Sequence, residues 1–134
     1  MDSQQTPQSP TAEQILDAMA REMGKTPEVM ELLSRIKPAM VVEQARSKRF
    51  AGEGSSIPDK YRQLISIAAV AGAGSASCLK TQIAQALKQG IEPIEIVDAL
   101  VMARFALAST VFSAAKDGLR ILVDSLAEAD AGDA

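Results

Sequence analysis

At 134 residues the chain is sized for one domain around one core. It is 47% hydrophobic but only 3% aromatic, so Ala, Leu, Ile, Val and Met must fill that core, which suits packed helices and tells against a sheet sandwich. A net charge of −3 and a pI of about 5.0 give no electrostatic pull towards nucleic acid or an anionic membrane, and a single Cys rules out an intramolecular disulfide; a reduced, cytoplasmic setting is the expectation.

Residues 1–10 are polar with two prolines and read as a disordered leader, with neither the basic start nor the apolar run of a secretory signal. Thr11-Ala-Glu-Gln14 is a capping box, and Ile15, Leu16, Met19 and Met23 follow at helical spacing up to a stop at Gly24. Thr26-Pro27 reads as an N-cap and first helical position, opening a helix striped by Val29, Met30, Leu33 and Ile36. Pro38 forces a boundary before a third helix to about Phe50, whose Arg46-Ser-Lys-Arg49 patch is a solvated end favoured by the helix dipole. A flexible loop over residues 51–56 leads to Pro58, which opens a helix with Tyr61, Leu64, Ile65, Ala68 and Ala69 facing inward. That helix ends at Gly72 and Gly74. The next begins near Ser75 or Ser77 and runs to Lys88, with Gly90 as its left-handed stop. Pro93 starts another, carrying Ile94, Val97, Leu100 and Val101. A last pattern runs from about Ser109 to Ala127, interrupted by Gly118 and followed by an acidic, frayed tail. The uncharged stretch from Gln63 to Leu79 is too short and too rich in Ser and Gly to span a bilayer. The expectation is an all-α bundle of six to seven helices: a leader over 1–10, one domain over 11–129 and a tail over 130–134.

The chemistry concentrates at Ala71-Gly-Ala-Gly-Ser-Ala-Ser-Cys78, which puts the only cysteine into the first turn of a helix. Unpaired backbone N–H groups and the positive end of the helix dipole favour thiolate there, and thiolate is the reactive form. The chain has no His to assist it. Cys78 is therefore either a reactive thiol or a small apolar residue packed under the elbow. Ser75, Ser77 and Lys80 lack the spacing of a phosphate-binding loop, so N-capping accounts for the serines. Arg104 is the only charge between Ala99 and Ala115 and reads either as a subunit contact or as an anion clamp in a pocket.

From Ile57-Pro-Asp-Lys-Tyr-Arg-Gln-Leu-Ile-Ser-Ile-Ala-Ala-Val70, through the elbow and Cys78-Leu-Lys-Thr-Gln-Ile-Ala-Gln-Ala-Leu-Lys-Gln-Gly90, to Ile94-Glu-Ile-Val-Asp-Ala-Leu-Val-Met-Ala103, the chain resembles the carboxymuconolactone decarboxylase family, which includes the alkyl hydroperoxidase D-like proteins. The resemblance implies an all-helical fold and a homotrimer or hexamer. The redox branch of that family carries a Glu, eleven residues, Cys-x-x-Cys, three residues and a His. Laid onto this sequence, the Glu falls on Gln63, the first Cys on Ser75, the second on Cys78 and the His on Gln82. Gln cannot take a proton at neutral pH and Ser is a poor redox group, so one sulfur remains.

The resemblance implies a thiol-based oxidoreductase or antioxidant, peroxidase-like, with Cys78 as catalytic residue and Gln63, Ser75 and Gln82 lining its pocket. Such a protein needs no metal or other cofactor, and takes a small thiol or a redox partner protein as reductant. Two alternatives stand beside it: a non-catalytic homo-oligomeric binding or scaffold protein, and a cofactor-free lyase holding a carboxylate-bearing substrate through Arg104. Neither nucleic acid nor membrane is an expected partner.

Overall fold

A computed structural model of the protein describes residues 8–133 and contains only helices among them. In chain order these are α1 (Ala12–Met23), α2 (Glu28–Ile36), α3 (Pro38–Gly52), α4 (Asp59–Ala73), α5 (Ala76–Lys88), α6 (Pro93–Ala114) and α7 (Lys116–Gly132). The expected disordered leader falls largely on residues 1–7, outside the described residues. The chain divides into two compact units, one ending at Asp59 and the other beginning at Lys60.

In the first unit, α1, α2 and α3 pack on one another around buried Ile15 and Val41. The capping box forms as the sequence predicts: Gln14 N–H donates to Thr11 Oγ1 at 3.2 Å and Thr11 N–H to Gln14 Oε1 at 2.9 Å. Gly24, at φ 83°, stops α1. Thr26 does not cap α2, contrary to expectation. Pro27 takes the N-cap position, and the Thr26 hydroxyl instead donates to the Leu16 carbonyl at 3.4 Å. The third helix outlasts its predicted end at Phe50, absorbing Ala51 and Gly52 from the expected loop.

In the second unit, Ile67, Ala86, Ile91 and Ile96 form the buried core, with Leu64, Leu79, Ile83 and Leu100 packed against it. The end of α5 shows how sequence builds this core. Gly90, at φ 79°, lets the chain reverse, and N–H groups of Gly90 and Ile91 bond back to the carbonyls of Leu87 and Ala86, each at 3.1 Å. This is a Schellman-type stop, and it carries Ile91 inward beside Ala86. Tyr61 and Ile65, expected inside, are instead more than half exposed; α4 turns Leu64 and Ile67 to the core. With apolar residues on several sides of α4, spacing alone does not choose the face.

The last two helices depart furthest from expectation. The predicted start near Ser109 lies inside α6, because Ser109 Oγ donates to the Phe105 carbonyl at 3.0 Å and so bonds within the helix rather than capping a new one. The break comes at Ala115, and α7 continues to Gly132, so residues 130–132 are helical rather than frayed. α6 is long and apolar enough to cross a membrane by length and composition.

Candidate functional site

The elbow between α4 and α5 is built from backbone bonds that leave little freedom. Gly74, at φ 76°, takes the left-handed conformation that a Cβ disfavours. Its N–H bonds to the Ala71 carbonyl at 3.1 Å and the Ser75 N–H to the Val70 carbonyl at 3.4 Å, closing α4. Ser75 is at once the N-cap of α5, its carbonyl accepting from Leu79 N–H at 2.9 Å. The two helices thus share a junction with no spare residue. Cys78 falls in consequence at the third position of α5, within its first turn, and is exposed. A thiol packed away under the elbow is not what the fold provides. Ser75 makes no side-chain capping bond, unlike the N-capping read from the sequence.

Gln63 and Gln82, the positions matched to Glu and His of the redox motif, are brought together. Gln63 Nε2 donates to Gln82 Oε1 at 2.8 Å and to the Gln82 main-chain carbonyl at 2.9 Å, both partly buried. Gln82 lies one turn beyond Cys78 on α5, on the same helical face. The pair ties α4 to α5 across the elbow. As two carboxamides, it can orient a ligand or a water but cannot relay a proton. The backbone of the elbow also meets α6: a Cβ on Gly72 would stand 3.7 Å from Leu107 Cδ1.

A second tie was not singled out from sequence. Lys60 forms an ion pair with Glu95 at the start of α6, and Glu95 Oε2 also accepts from Glu92 N–H at 3.1 Å. Lys60 precedes Gln63 by three residues, so neighbouring side chains of α4 reach α6 and α5 respectively. The Glu92-Pro-Ile-Glu95 pattern marks a helix start, but nothing in the spacing announces its partner on another helix. The hydrogen bond from Lys60, then that from the Glu92 backbone, holds the Glu95 carboxyl below its ordinary value of 4.5, and the bond to Glu95 raises Lys60 above 10.5.

The signs set a pH window. The contribution of Glu95 is complete above its ordinary value and fades as pH falls through its lowered one. That of Lys60 is complete below its ordinary value and fades as pH rises through its raised one. Lys60 is 47% and Glu95 31% exposed, so solvent screening keeps the effect modest. Replacing Glu95 with Gln should lower the melting temperature slightly at neutral pH and flatten its decline in acid. Parallel acid limbs for the two proteins in a thermal-melt pH series would contradict this.

Arg104 is exposed on α6. The two clefts described lie along α3, one of about 300 Å³ lined by Ser9, Arg46, Arg49, Phe50 and Glu53, the other beside it at Glu43, Arg46, Ser47 and Phe50. None of the residues predicted for the site lines either. The carboxylates there meet the arginines, Glu43 with Arg46 at 3.4 Å and Glu53 with Arg49 at 4.0 Å.

Compared with known families, the chain matches the model of the carboxymuconolactone decarboxylase family over residues 41–120. The match is wider than the resemblance read from Ile57 to Ala103. It takes in α3 from Val41, the whole of α4, α5 and α6, and the start of α7, and so includes Gln63, Ser75, Cys78, Gln82 and Arg104. No curated protein is similar enough to this chain to count as a relative.

Proposed function

Because this chain belongs to the carboxymuconolactone decarboxylase family, we propose that it is a thiol oxidoreductase with Cys78 as its one working sulfur. The observation that carries this reading is the exposure of Cys78 in the first turn of α5, directly after a junction with no slack. A sulfur so placed is open to a reactant and lies near the positive end of a helix dipole.

The reaction that fits is reduction of a hydroperoxide. The Cys78 thiolate attacks the terminal peroxide oxygen, the O–O bond breaks, the alkoxide leaves with a proton as alcohol, and the sulfur becomes a sulfenic acid. A small thiol condenses with that acid, expelling water and forming a mixed disulfide. A second thiol attacks the outer sulfur, frees Cys78 and leaves as a small disulfide. Each turn consumes one hydroperoxide and two thiols, and yields one alcohol, one water and one disulfide. With no second cysteine in the chain, the reductant comes from outside, as a small thiol or a redox partner protein. Such a lone thiol serves in a reducing compartment, hence the cytoplasmic reading. Gln63 and Gln82 orient the peroxide or a water, and Ser75 stands at the head of the helix that carries Cys78.

The test is a peroxide-consumption assay with a small thiol as sole reductant. Two thiols oxidised per peroxide consumed supports the proposal. No consumption above the uncatalysed rate, with any of several thiols, defeats it.

One observation favours a second reading. Gln63 Nε2 donates both to the Gln82 side chain and to its main-chain carbonyl, and a non-catalytic binding protein on the same scaffold would keep that contact. The lyase alternative draws on Arg104, whose exposed place on α6 supplies no enclosed anion site.

A further inference from the structure

Starting from the thiol reading of Cys78, on which this inference rests, we infer that Gln82 Nε2 is the donor to the departing oxygen of the hydroperoxide. Gln63 is then a positioning residue, which fixes the end of the Gln82 amide that faces the reaction.

A carboxamide has two ends of nearly the same shape, one donating and one accepting, and half a turn exchanges them. The contacts between α4 and α5 remove that freedom in two steps. A main-chain carbonyl only accepts, so the Gln63 atom 2.9 Å from the Gln82 carbonyl has to be Nε2. The same Nε2 stands 2.8 Å from the end of the Gln82 side chain, and an amide N–H does not accept, so that end has to be Oε1. The reverse arrangement would set the Gln63 oxygen against a carbonyl oxygen. Gln82 Nε2 is left with two hydrogens to give, and among the described residues no side chain takes either of them. Half-buried, it gives them to solvent or to a bound reactant.

Place decides which reactant. Cys78 lies one turn before Gln82 on the same face of α5, and a long helical side chain leans over the turn that precedes it. When the Cys78 thiolate attacks, a bond forms between sulfur and the terminal peroxide oxygen, which keeps its hydrogen. The O–O bond breaks, and its electron pair goes to the oxygen bonded to carbon. That oxygen takes a hydrogen bond from Gln82 Nε2 as its charge grows, and a proton from water as it departs. The amide keeps its own hydrogens. A donor aimed at developing charge lowers the barrier most where charge gathers on oxygen, and sulfur is a weak acceptor. The pair therefore favours hydroperoxides, which release oxygen, over disulfides, which release sulfur.

The experiment compares two reactions of Cys78 in the full chain. With tert-butyl hydroperoxide an alkoxide leaves; with iodoacetamide iodide leaves. Both need the thiolate, so the ratio of their rate constants cancels any change in thiolate fraction or exposure. Gln82→Leu should lower that ratio by about tenfold, less than the loss of about a hundredfold or more at an enclosed oxyanion site, because Cys78 is exposed. Gln63→Glu should lower it in the same way, because a carboxylate only accepts and turns Gln82 Nε2 towards itself. Gln63→Lys, whose ammonium donates to both Gln82 oxygens, should keep the wild-type ratio. A clamp between helices with no part in the reaction would lower the melting temperature in these variants and leave the ratio alone. A ratio unchanged by Gln82→Leu overturns the inference and leaves the thiol reading standing. A fall with Gln82→Leu but none with Gln63→Glu overturns the positioning role of Gln63. A wild-type chain that iodoacetamide alkylates and hydroperoxide does not touch overturns the thiol reading, and this inference with it. If Gln82→Leu does not fold, Gln63→Glu decides.

Discussion

Replacing Cys78 with Ser should reduce thiol-dependent peroxide consumption to the uncatalysed rate, a loss of at least a hundredfold, while leaving helix content unchanged. The reason is local. Cys78 is exposed and contributes nothing to the core formed by Ile67, Ala86, Ile91 and Ile96. A hydroxyl of nearly the same size fits the same place, but it neither leaves the ground state as an anion at neutral pH nor accepts an oxygen from a peroxide. Peroxide consumption and circular dichroism on the same preparation check both halves. Residual turnover above a few per cent of wild type would place the chemistry elsewhere. Lost helix content would make the sulfur structural.

The second large effect is on stability. Replacing Ile67 with Ala should destabilise the second unit by about 3 kcal/mol. Ile67 is fully buried and is one of only four buried residues in its cluster, flanked by half-buried Leu64, Leu79, Ile83 and Leu100. Removing three carbons from the centre of so small a core leaves a cavity with no second layer to close it. Against a typical total of about 5–15 kcal/mol for a domain, that loss is a substantial fraction. Urea unfolding followed by circular dichroism measures it. A shift under about 1 kcal/mol would mean that the core collapses onto the gap or that stability resides elsewhere.

Punctuation residues explain why so much of the fold was legible in the sequence. Gly24, Pro38, Gly74, Gly90 and Pro93 each do at a helix end what their backbone chemistry demands, and the elbow that places Cys78 follows from Gly74 and Ser75 alone. Failures occurred where a residue had two uses for one group. Thr26 looked like a cap and Ser109 like the start of a helix, but their hydroxyls bond to the carbonyls of Leu16 and Phe105. The break at Ala115 carries no Gly or Pro to mark it. Tyr61 and Ile65 were misplaced because apolar residues surround α4, and burial is decided by neighbours that spacing does not reveal.

The site divides along the same line. That Gln63 and Gln82 align with the Glu and His of the redox motif was implied by the family resemblance; the fold brings the two side chains to 2.8 Å. The Lys60–Glu95 tie was not readable, because it joins two helices far apart in sequence with no periodic relation between them. Its effect is to brace the start of α4 against the start of α6, while the amides one turn further along the same face brace α4 against α5.

The most direct measurement is mass spectrometry of the folded protein after less than one equivalent of hydroperoxide in the presence of a sulfenic-acid trap. An oxygen accepted by sulfur 78 in the native state, captured as a trap adduct on that residue before any other site is oxidised, is the predicted result. An unmodified thiol, labelled only once the chain has been unfolded, would contradict the account.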